Sequence, residues 1–413
     1  MAKKSLGAGV GVWIAVIIIV AIVAASGGYY SGFHHGVEAA RALPPSIGVG
    51  VLISNVHGGM DVLKGIEVAA KHINDTGGLA ARNIVLLVRG TQGDPSIAKS
   101  ALQELIDRGV EVVIAALSDS EVEAVAPMLR EHEVTMLLIS RDVEVNSPSV
   151  DEGNMIFRVT DSYELQGRAM ADLAIRIGAM KAAILAVNDT YGLEISSSLA
   201  EHYEALGGQI VYKACYSPVA VNVSSQLNTI KALKPNVVFL VGHSDDAVKI
   251  LRMAMNMSLT VQWIMPSELA NEELFTETGL AGYIEGSYVI HVLVNKESQA
   301  YREFEGLYRE VYGEEPSDLS AFGYDALMLM SVSLAYAGQY NGTAVKYALF
   351  QVGKLFNGIT GQKAFDENGN AMQAFEVLRV LYDHVSGKLK LKLVGYWTPK
   401  IEGGAAITWI LSS

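Results

Sequence analysis

Cysteine is nearly absent from this chain. Cys215 is the single one in 413 residues. That excludes an intrachain disulfide and any Cys-cluster zinc site. Cys215 itself reads as a small, half-buried strand residue. Basic residues are also scarce: 31 Lys and Arg stand against 44 Asp and Glu, a formal charge of −13. Nucleic acid is therefore not expected as a partner, because phosphate binding needs clustered positive charge. Catalytic signatures are missing too. Gly48 and Gly50 lack a third glycine at Ile53, so the dinucleotide fingerprint is incomplete. No phosphate-cradling Gly-x-x-x-x-Gly-Lys loop, no Gly-x-Ser-x-Gly elbow and no His-x-x-x-His pair occurs. No catalytic role, cofactor or metal is expected.

What is present is apolar. Half the residues are hydrophobic and 18% are charged, enough for real cores. At about one domain per 150 residues, the length allows more than one. Lys3 and Lys4 precede an apolar run from about Val10 to Ala25, and no charged side chain follows Lys4 until Glu38. A spanning helix needs ~20 largely apolar residues, and the two lysines favour a cytoplasmic N-terminus. Residues 1–28 are thus expected to be a transmembrane anchor at the cell membrane, with the rest of the chain extracytoplasmic. A cleaved signal peptide is the rival reading, although no clean small-x-small site follows the run. Residues 29–45 form a Gly-rich spacer ending in Pro44-Pro45. Its His34-His35 pair reads as solvated. Asn74, Asn188, Asn222, Asn256 and Asn341 head Asn-x-Ser/Thr triplets, which fit an exposed chain where the cell glycosylates.

From Ile47 onward, aliphatic runs alternate with helical periodicity. Strands are expected at 47–54, 84–89, 110–117 and 134–140, with helices at 60–74, 95–108 and 120–131. The first helix carries Leu63, Ile66, Ala70 and Ile73 on one face and stops at Asn74-Asp75-Thr76-Gly77-Gly78. A second series places strands at 181–188, 209–213, 236–242 and 262–266, the last closing it. Helices are expected near 164–178, 191–206, 223–233 and 245–256. Near-continuous aliphatic strands joined by helices imply parallel sheets covered on both faces. Two such series imply two α/β lobes. Helices follow at 298–312, 318–338 and 342–355, then strands at 375–382 and 389–397 flanking a Ser386-Gly387 turn.

Several stretches together resemble the type I periplasmic binding proteins of the branched-chain amino-acid (Leu/Ile/Val) class. They are KGIEVAAKHINDTGGL (64–79), TQGDPSIAKSALQELIDRGVEVVIAALSDS (91–120), NDTYG (188–192), FGYDALMLM (322–330) and FDENGN (365–370). Their order and spacing run from Ile47 to about Trp397. The resemblance implies two Rossmann-like lobes with three interlobe crossings and ligand in the cleft. Crossings are implied near Arg158–Thr160, Gly286–Val289 and Gly369–Met372. Lobe 1 is then 46–159 plus 289–370, lobe 2 is 160–288 plus 371–400, and 401–413 is a C-terminal tail.

In open α/β sheets, ligands sit at the carboxyl ends of the strands. That rule selects the loops after 54, 117, 140, 188, 242 and 266. Ser118 and Ser120 open a helix whose N–H groups suit an anion such as an α-carboxylate. The resemblance gives serines here that role. Plain N-capping with Glu121 and Glu123 is the competing reading. After 140 the family's small Ser-x-x-Ala/Thr stretch is replaced by Ser140-Arg141-Asp142. Arg141 suits a carboxylate and Asp142 an ammonium, or the two pair with each other. The resemblance makes Tyr191 a cleft-lining ligand contact. It also places an aromatic near His243 and an ammonium-binding acid near Glu268, offset by one position. Ser54-Asn55-Val56-His57 faces the cleft by strand order.

The expected function is an extracytoplasmic solute-binding protein. It would bind an amino acid or similar small polar solute and hand it to ABC permease and ATPase subunits. The alternative is a membrane-anchored sensing receptor without transport. An anchored hydrolase is a third, less favoured reading.

Overall fold

The computed structural model describes residues 43–54, 58–141, 149–219, 221–386, 388–400 and 405–410. The expected anchor, most of the spacer with His34-His35, Asn55 to His57, Asp142, Gly387 and parts of the 401–413 tail lie outside the described residues. Contacts divide the chain into two units. Unit 1 takes in the described residues of 43–140, 149–159 and 294–371. Unit 2 takes in Arg141, 160–293 and 372–410.

Unit 1 is built on a five-stranded parallel sheet. Its strands are β1 (Ile47–Ile53), β2 (Ile84–Gly90), β3 (Val112–Ala116), β4 (Thr135–Leu138) and β5 (Ile156–Arg158), in spatial order β2-β1-β3-β4-β5. Helices α1 (Gly59–Asp75), α2 (Pro95–Asp107) and α3 (Asp119–Glu131) make the crossovers. Asp94 explains where α2 begins. Its carboxylate accepts the N–H of Ser96 at 2.7 Å, and Pro95 supplies the preset first-turn φ. β1, β3 and β4 are buried along nearly their whole length, because helices cover both sheet faces.

Three later helices complete unit 1: α9 (Gln299–Tyr312), α10 (Asp318–Ala337) and α11 (Gly342–Val352). Among the described residues, α10 is the one helix long and apolar enough to cross a membrane. It is buried over most of its surface, which marks it as a core helix. α1 packs closely against it through two glycines. A Cβ at Gly65 would stand 1.9 Å from the Ser320 carbonyl oxygen, and one at Gly323 would stand 2.2 Å from the Val62 carbonyl oxygen. Nothing larger than glycine lets the two backbones meet this way.

Unit 2 holds an eight-stranded mixed sheet. Its parallel part comprises β6 (Lys181–Val187), β7 (Gln209–Tyr216), β8 (Val237–Val241), β9 (Gln262–Met265) and β10 (Tyr288–Val292). Antiparallel strands β13 (Phe375–Asp383), β14 (Lys388–Pro399) and β15 (Ala405–Trp409) extend it. The order is β15-β14-β13-β10-β9-β8-β6-β7. Helices α4 (Tyr163–Arg176), α5 (Thr190–Ala205), α6 (Ser224–Leu233), α7 (Ser244–Asn256) and α8 (Glu272–Glu277) connect the strands. The remaining small pair, β11 (Asn357–Gly358) and β12 (Gly361–Gln362), belongs to unit 1.

Several expectations are corrected. The second series does not close at β9, because β10 adds beside it and carries the antiparallel strands. β10 pairs only within unit 2, so the chain changes unit after Leu293, later than Gly286–Val289. The tail is not merely a tail, since Ala405–Trp409 pairs with Gly395–Pro399 of β14. Cys215 lies in β7 as a strand residue but is exposed, because β7 is the edge of the sheet.

Candidate functional site

Each sheet reverses its winding direction at one place. In unit 1, β2 lies on one side of β1 and β3 on the other; in unit 2, β7 and β8 flank β6 in the same manner. Crevices form outside the carboxyl ends of the strands at such switch points. In unit 2 the residues that follow β6, β8 and β9 carry most of the candidate side chains.

The segment after β6 builds its own geometry. Asp189 caps α5, its Oδ1 accepting the Gly192 N–H at 2.9 Å. Gly192 has to be glycine, because a Cβ there would lie 2.0 Å from the Val187 carbonyl oxygen. This tight entry turns Tyr191 inward until it is only 6% exposed. The other oxygen of Asp189, Oδ2, meets His243 Nε2 at 2.7 Å. His243 follows β8 and stacks on the Tyr191 ring, centroids 5.1 Å apart and planes 26° apart. Tyr163, at the start of α4, meets the same ring edge-on at 5.3 Å.

A charged group sits beside these rings. Arg141 Nε donates to Asp161 Oδ1 at 3.0 Å, and Arg141 Nη1 donates to Glu268 Oε1 at 3.1 Å. Gln166 locks the arrangement: its Nε2 donates to Asp161 Oδ2 at 2.8 Å, and its Oε1 accepts the Ser267 N–H at 3.3 Å. Burial disfavours the Arg141 charge, but Asp161 and Glu268 outweigh it and hold the guanidinium above its ordinary pKa. One cation faces two carboxylates, so the group carries a surplus negative charge when ionised.

Three polar atoms in this region have no hydrogen-bond partner among the described residues: Tyr191 Oη, Tyr216 Oη and Glu268 Oε2. Burial pushes the Tyr191 hydroxyl well above the usual phenol range, and the Glu268 charge pushes it further. Glu268 acts on the hydroxyl both through its charge and as an acceptor, although the approach falls short of full hydrogen-bond geometry. Buried polar atoms are normally paired, and leaving one unpaired costs ~1–3 kcal/mol.

The candidates fall into two sets. Arg141, Tyr191, His243 and Glu268 come together in unit 2. Ser118, Ser120 and Ser140 belong to unit 1. Ser118 is engaged by its own helix, its N–H and hydroxyl both donating to Glu121 Oε2, at 2.8 and 2.7 Å. This is the capping arrangement. Ser120 is exposed, and Ser140 is half-buried beyond the end of β4. Among the described residues, the acids that pair with Arg141 are Asp161 and Glu268. Sequence reading missed Asp161, Tyr163, Gln166 and Asp189. The Asp-x-Tyr-Gly spacing at 189–192 was the available signal for Asp189, since a helix-capping Asp two positions before an inward Tyr fixes that Tyr. Asp161 and Gln166 carry no comparable mark.

Two α/β units with polar side chains gathered at their switch points define the class of two-lobed solute receptors. The comparisons agree. A family profile described as "Periplasmic binding protein" matches residues 54–384, and the chain belongs to that family. It is 23% identical over 332 residues to "Leu/Ile/Val-binding protein homolog 1" of Brucella suis biovar 1, covering 78% of this chain and 86% of the relative. A putative branched-chain amino acid ABC transporter protein from Rhodospirillum rubrum superposes with a TM-score of 0.74 at 20% identity, covering 84% of this chain and all of that one. The substrate-binding protein LivJ from Streptococcus pneumoniae, solved with isoleucine, gives 0.64 at 20% identity, covering 88% and 100%. These relatives are substrate-binding proteins rather than enzymes, and the chain is a binding protein of the same fold.

Proposed function

We propose that the chain is the extracytoplasmic solute-binding protein of an ABC importer, taking an amino acid or similar small polar solute. The observation that carries the reading is a pair of oxygens, Tyr191 Oη and Glu268 Oε2, unpartnered among the described residues and set beside stacked rings at a switch point. An ammonium or amide N–H donates to both oxygens, and the faces of Tyr191 and Tyr163 suit a cation. Arg141, Asp161 and His243 hold that arrangement, and Asp142 follows directly in sequence. Ser118, Ser120 and Ser140 are proposed as the ligand-binding residues of unit 1. The similarity to a protein solved with isoleucine supports a solute of this size.

Anchoring through residues 1–28 and delivery to a permease belong to the same proposal. The apolar N-terminal run supports the first, and the Leu/Ile/Val-binding relatives support the second. The test is a thermal-shift panel on the full chain in detergent, using amino acids, amides, amines and small carboxylates. A ligand at one hundred times its Kd stabilises the native state by about 2.7 kcal/mol. Stabilisation by a few related compounds, lost in Tyr191→Ala, is the expected result. No stabilisation by any compound overturns the solute-binding reading.

A further inference from the structure

We infer that the solute carries a second nitrogen group, an ammonium or a guanidinium, and that Tyr216 is the specificity-determining residue that receives it in unit 2. This deepens the solute-binding reading and rests on it.

Tyr216 lies across the switch point of the unit 2 sheet. β7 and β8 stand on opposite sides of β6. Tyr216 is the last residue of β7, opposite Val187 of β6, and its carbonyl accepts the Asn188 N–H at 2.8 Å. Its side chain passes over the end of β6 to the far strand. A Cβ on Gly242, the residue directly after β8, would stand 2.2 Å from Tyr216 Oη. Glycine at that position leaves the hydroxyl its room. Tyr216 is only 4% exposed, and its Oη has no hydrogen-bond partner among the described residues. A buried tyrosine hydroxyl ordinarily has one, because leaving it unpaired is unfavourable.

The surroundings of that hydroxyl are negative. Burial, then the charges of Asp246 and Asp189, hold it above the usual phenol range. Asp189 caps α5, and its Oδ2 already meets His243. Asp246 is 5% exposed in the first turn of α7, beside Asp245. Its cation is Lys249, one turn on at 3.6 Å and 57% exposed. The segments 188–192 and 242–246 hold these three acids and no Lys or Arg. The two helix N-termini offset part of this charge, yet they leave the hydroxyl unpaired.

Tyr191 and Tyr216 thus answer to different acids, the first chiefly to Glu268 and the second to Asp246 and Asp189. The first set takes one nitrogen of the solute. A second nitrogen that donates to Tyr216 Oη and carries positive charge satisfies both the unpaired oxygen and the acids behind it. A neutral alkyl end would leave the hydroxyl unpaired, and an anionic end would face Asp189 and Asp246.

Calorimetric titration of the full chain in detergent tests this with matched pairs. They are ornithine and norleucine, arginine and citrulline, and putrescine and pentylamine. Within each pair a cationic end is replaced by a neutral one of similar size. The expected result is binding about tenfold tighter, or more, for the cationic-ended member of the pair that binds best. In Tyr216→Phe that ratio should fall about fivefold, through a loss for the cationic-ended member. A neutral-ended member that binds as tightly as its partner, or tighter, overturns this inference and leaves the solute-binding reading standing. Silence from every pair does the same where the thermal-shift panel finds another ligand. Silence in both experiments overturns both readings. A ratio unchanged in folded Tyr216→Phe overturns the role given to Tyr216. If that variant does not fold, Asp246→Asn decides in its place: the ratio should fall, and an unchanged ratio overturns the inference.

Discussion

The indole N–H of Trp397 donates to Asp172 Oδ2 at 2.7 Å, fastening β14 to α4. Trp397 is fully buried and lies against Phe375, with ring centroids 5.6 Å apart. The same Asp172 approaches His202 on α5 at 3.4 Å. One carboxylate therefore joins three elements of unit 2. Trp397→Phe removes the hydrogen bond and some volume, and should cost about 2 kcal/mol. Trp397→Ala should cost about 3–5 kcal/mol through the added cavity. Urea unfolding followed by circular dichroism measures both, and equal stability of the two variants would contradict the assignment.

Tyr191 and Glu268 should be separable from the framework around them. Tyr191→Phe removes an unpartnered hydroxyl, so fold stability should hold or rise slightly while affinity drops about tenfold. Glu268→Gln keeps the size of the side chain but cancels the surplus negative charge. It should weaken a cationic ligand more than a neutral one, by tenfold or more. Titration against one amine and one amide reads the difference, and an equal loss for both would remove Glu268 from charge recognition.

His72 gives unit 1 a pH dependence of definite sign. Burial lowers its imidazole below the ordinary 6.5, with Glu303 and Asp75 offsetting part of the effect. The unfolded chain therefore binds the proton first as pH falls. This contribution to stability is complete above about 6.5 and is lost as pH drops toward the lower folded value. Nδ1 of His72 also meets the Tyr324 hydroxyl at 2.6 Å. His72→Gln keeps a polar partner there and removes the titration. The slope of the urea midpoint between pH 5 and 7 should be shallower in the variant, and an unchanged slope would place the dependence elsewhere.

The α1–α10 contact makes a steric prediction. Gly65→Ala forces the two helices apart, because its Cβ would stand 1.9 Å from the Ser320 carbonyl oxygen. The cost should be about 3 kcal/mol, at the upper end of ordinary overpacking, since backbone cannot rotate away. Gly306→Ala meets nothing within 4 Å and lies in α9, so it should be neutral or mildly stabilising. Thermal melting of the pair tests the contrast.

The alternation of strand and helix was legible because period-2 and period-3.6 patterns are local. Asp94-Pro95 announced α2, and Asn74 to Gly78 announced the end of α1, through capping and turn chemistry carried by adjacent residues. β10 and β15 escaped notice for the opposite reason. Tyr288–Val292 and Ala405–Trp409 are short, and what makes them strands is a partner distant in sequence. The candidate site divides along the same line. Tyr191 and His243 follow strands and are found by the strand-end rule. The link from Arg141 to Asp161 and Glu268 joins positions 20 and 127 residues apart, and no spacing rule announces it.

The interleaving of the two units sets a timetable for synthesis. α1 is among the first elements made, yet the groove that receives Gly65 lies on α10, and the last residues of unit 1 precede Met372. All of β6 to β10 must emerge before α10 can dock. At about 5–20 residues per second, the wait is on the order of 10–40 s. Through that interval α1 lacks the helix that packs against it. A nascent chain in this condition is a natural client for a holding chaperone, and unit 1, despite being begun first, is completed only after most of unit 2 has been made.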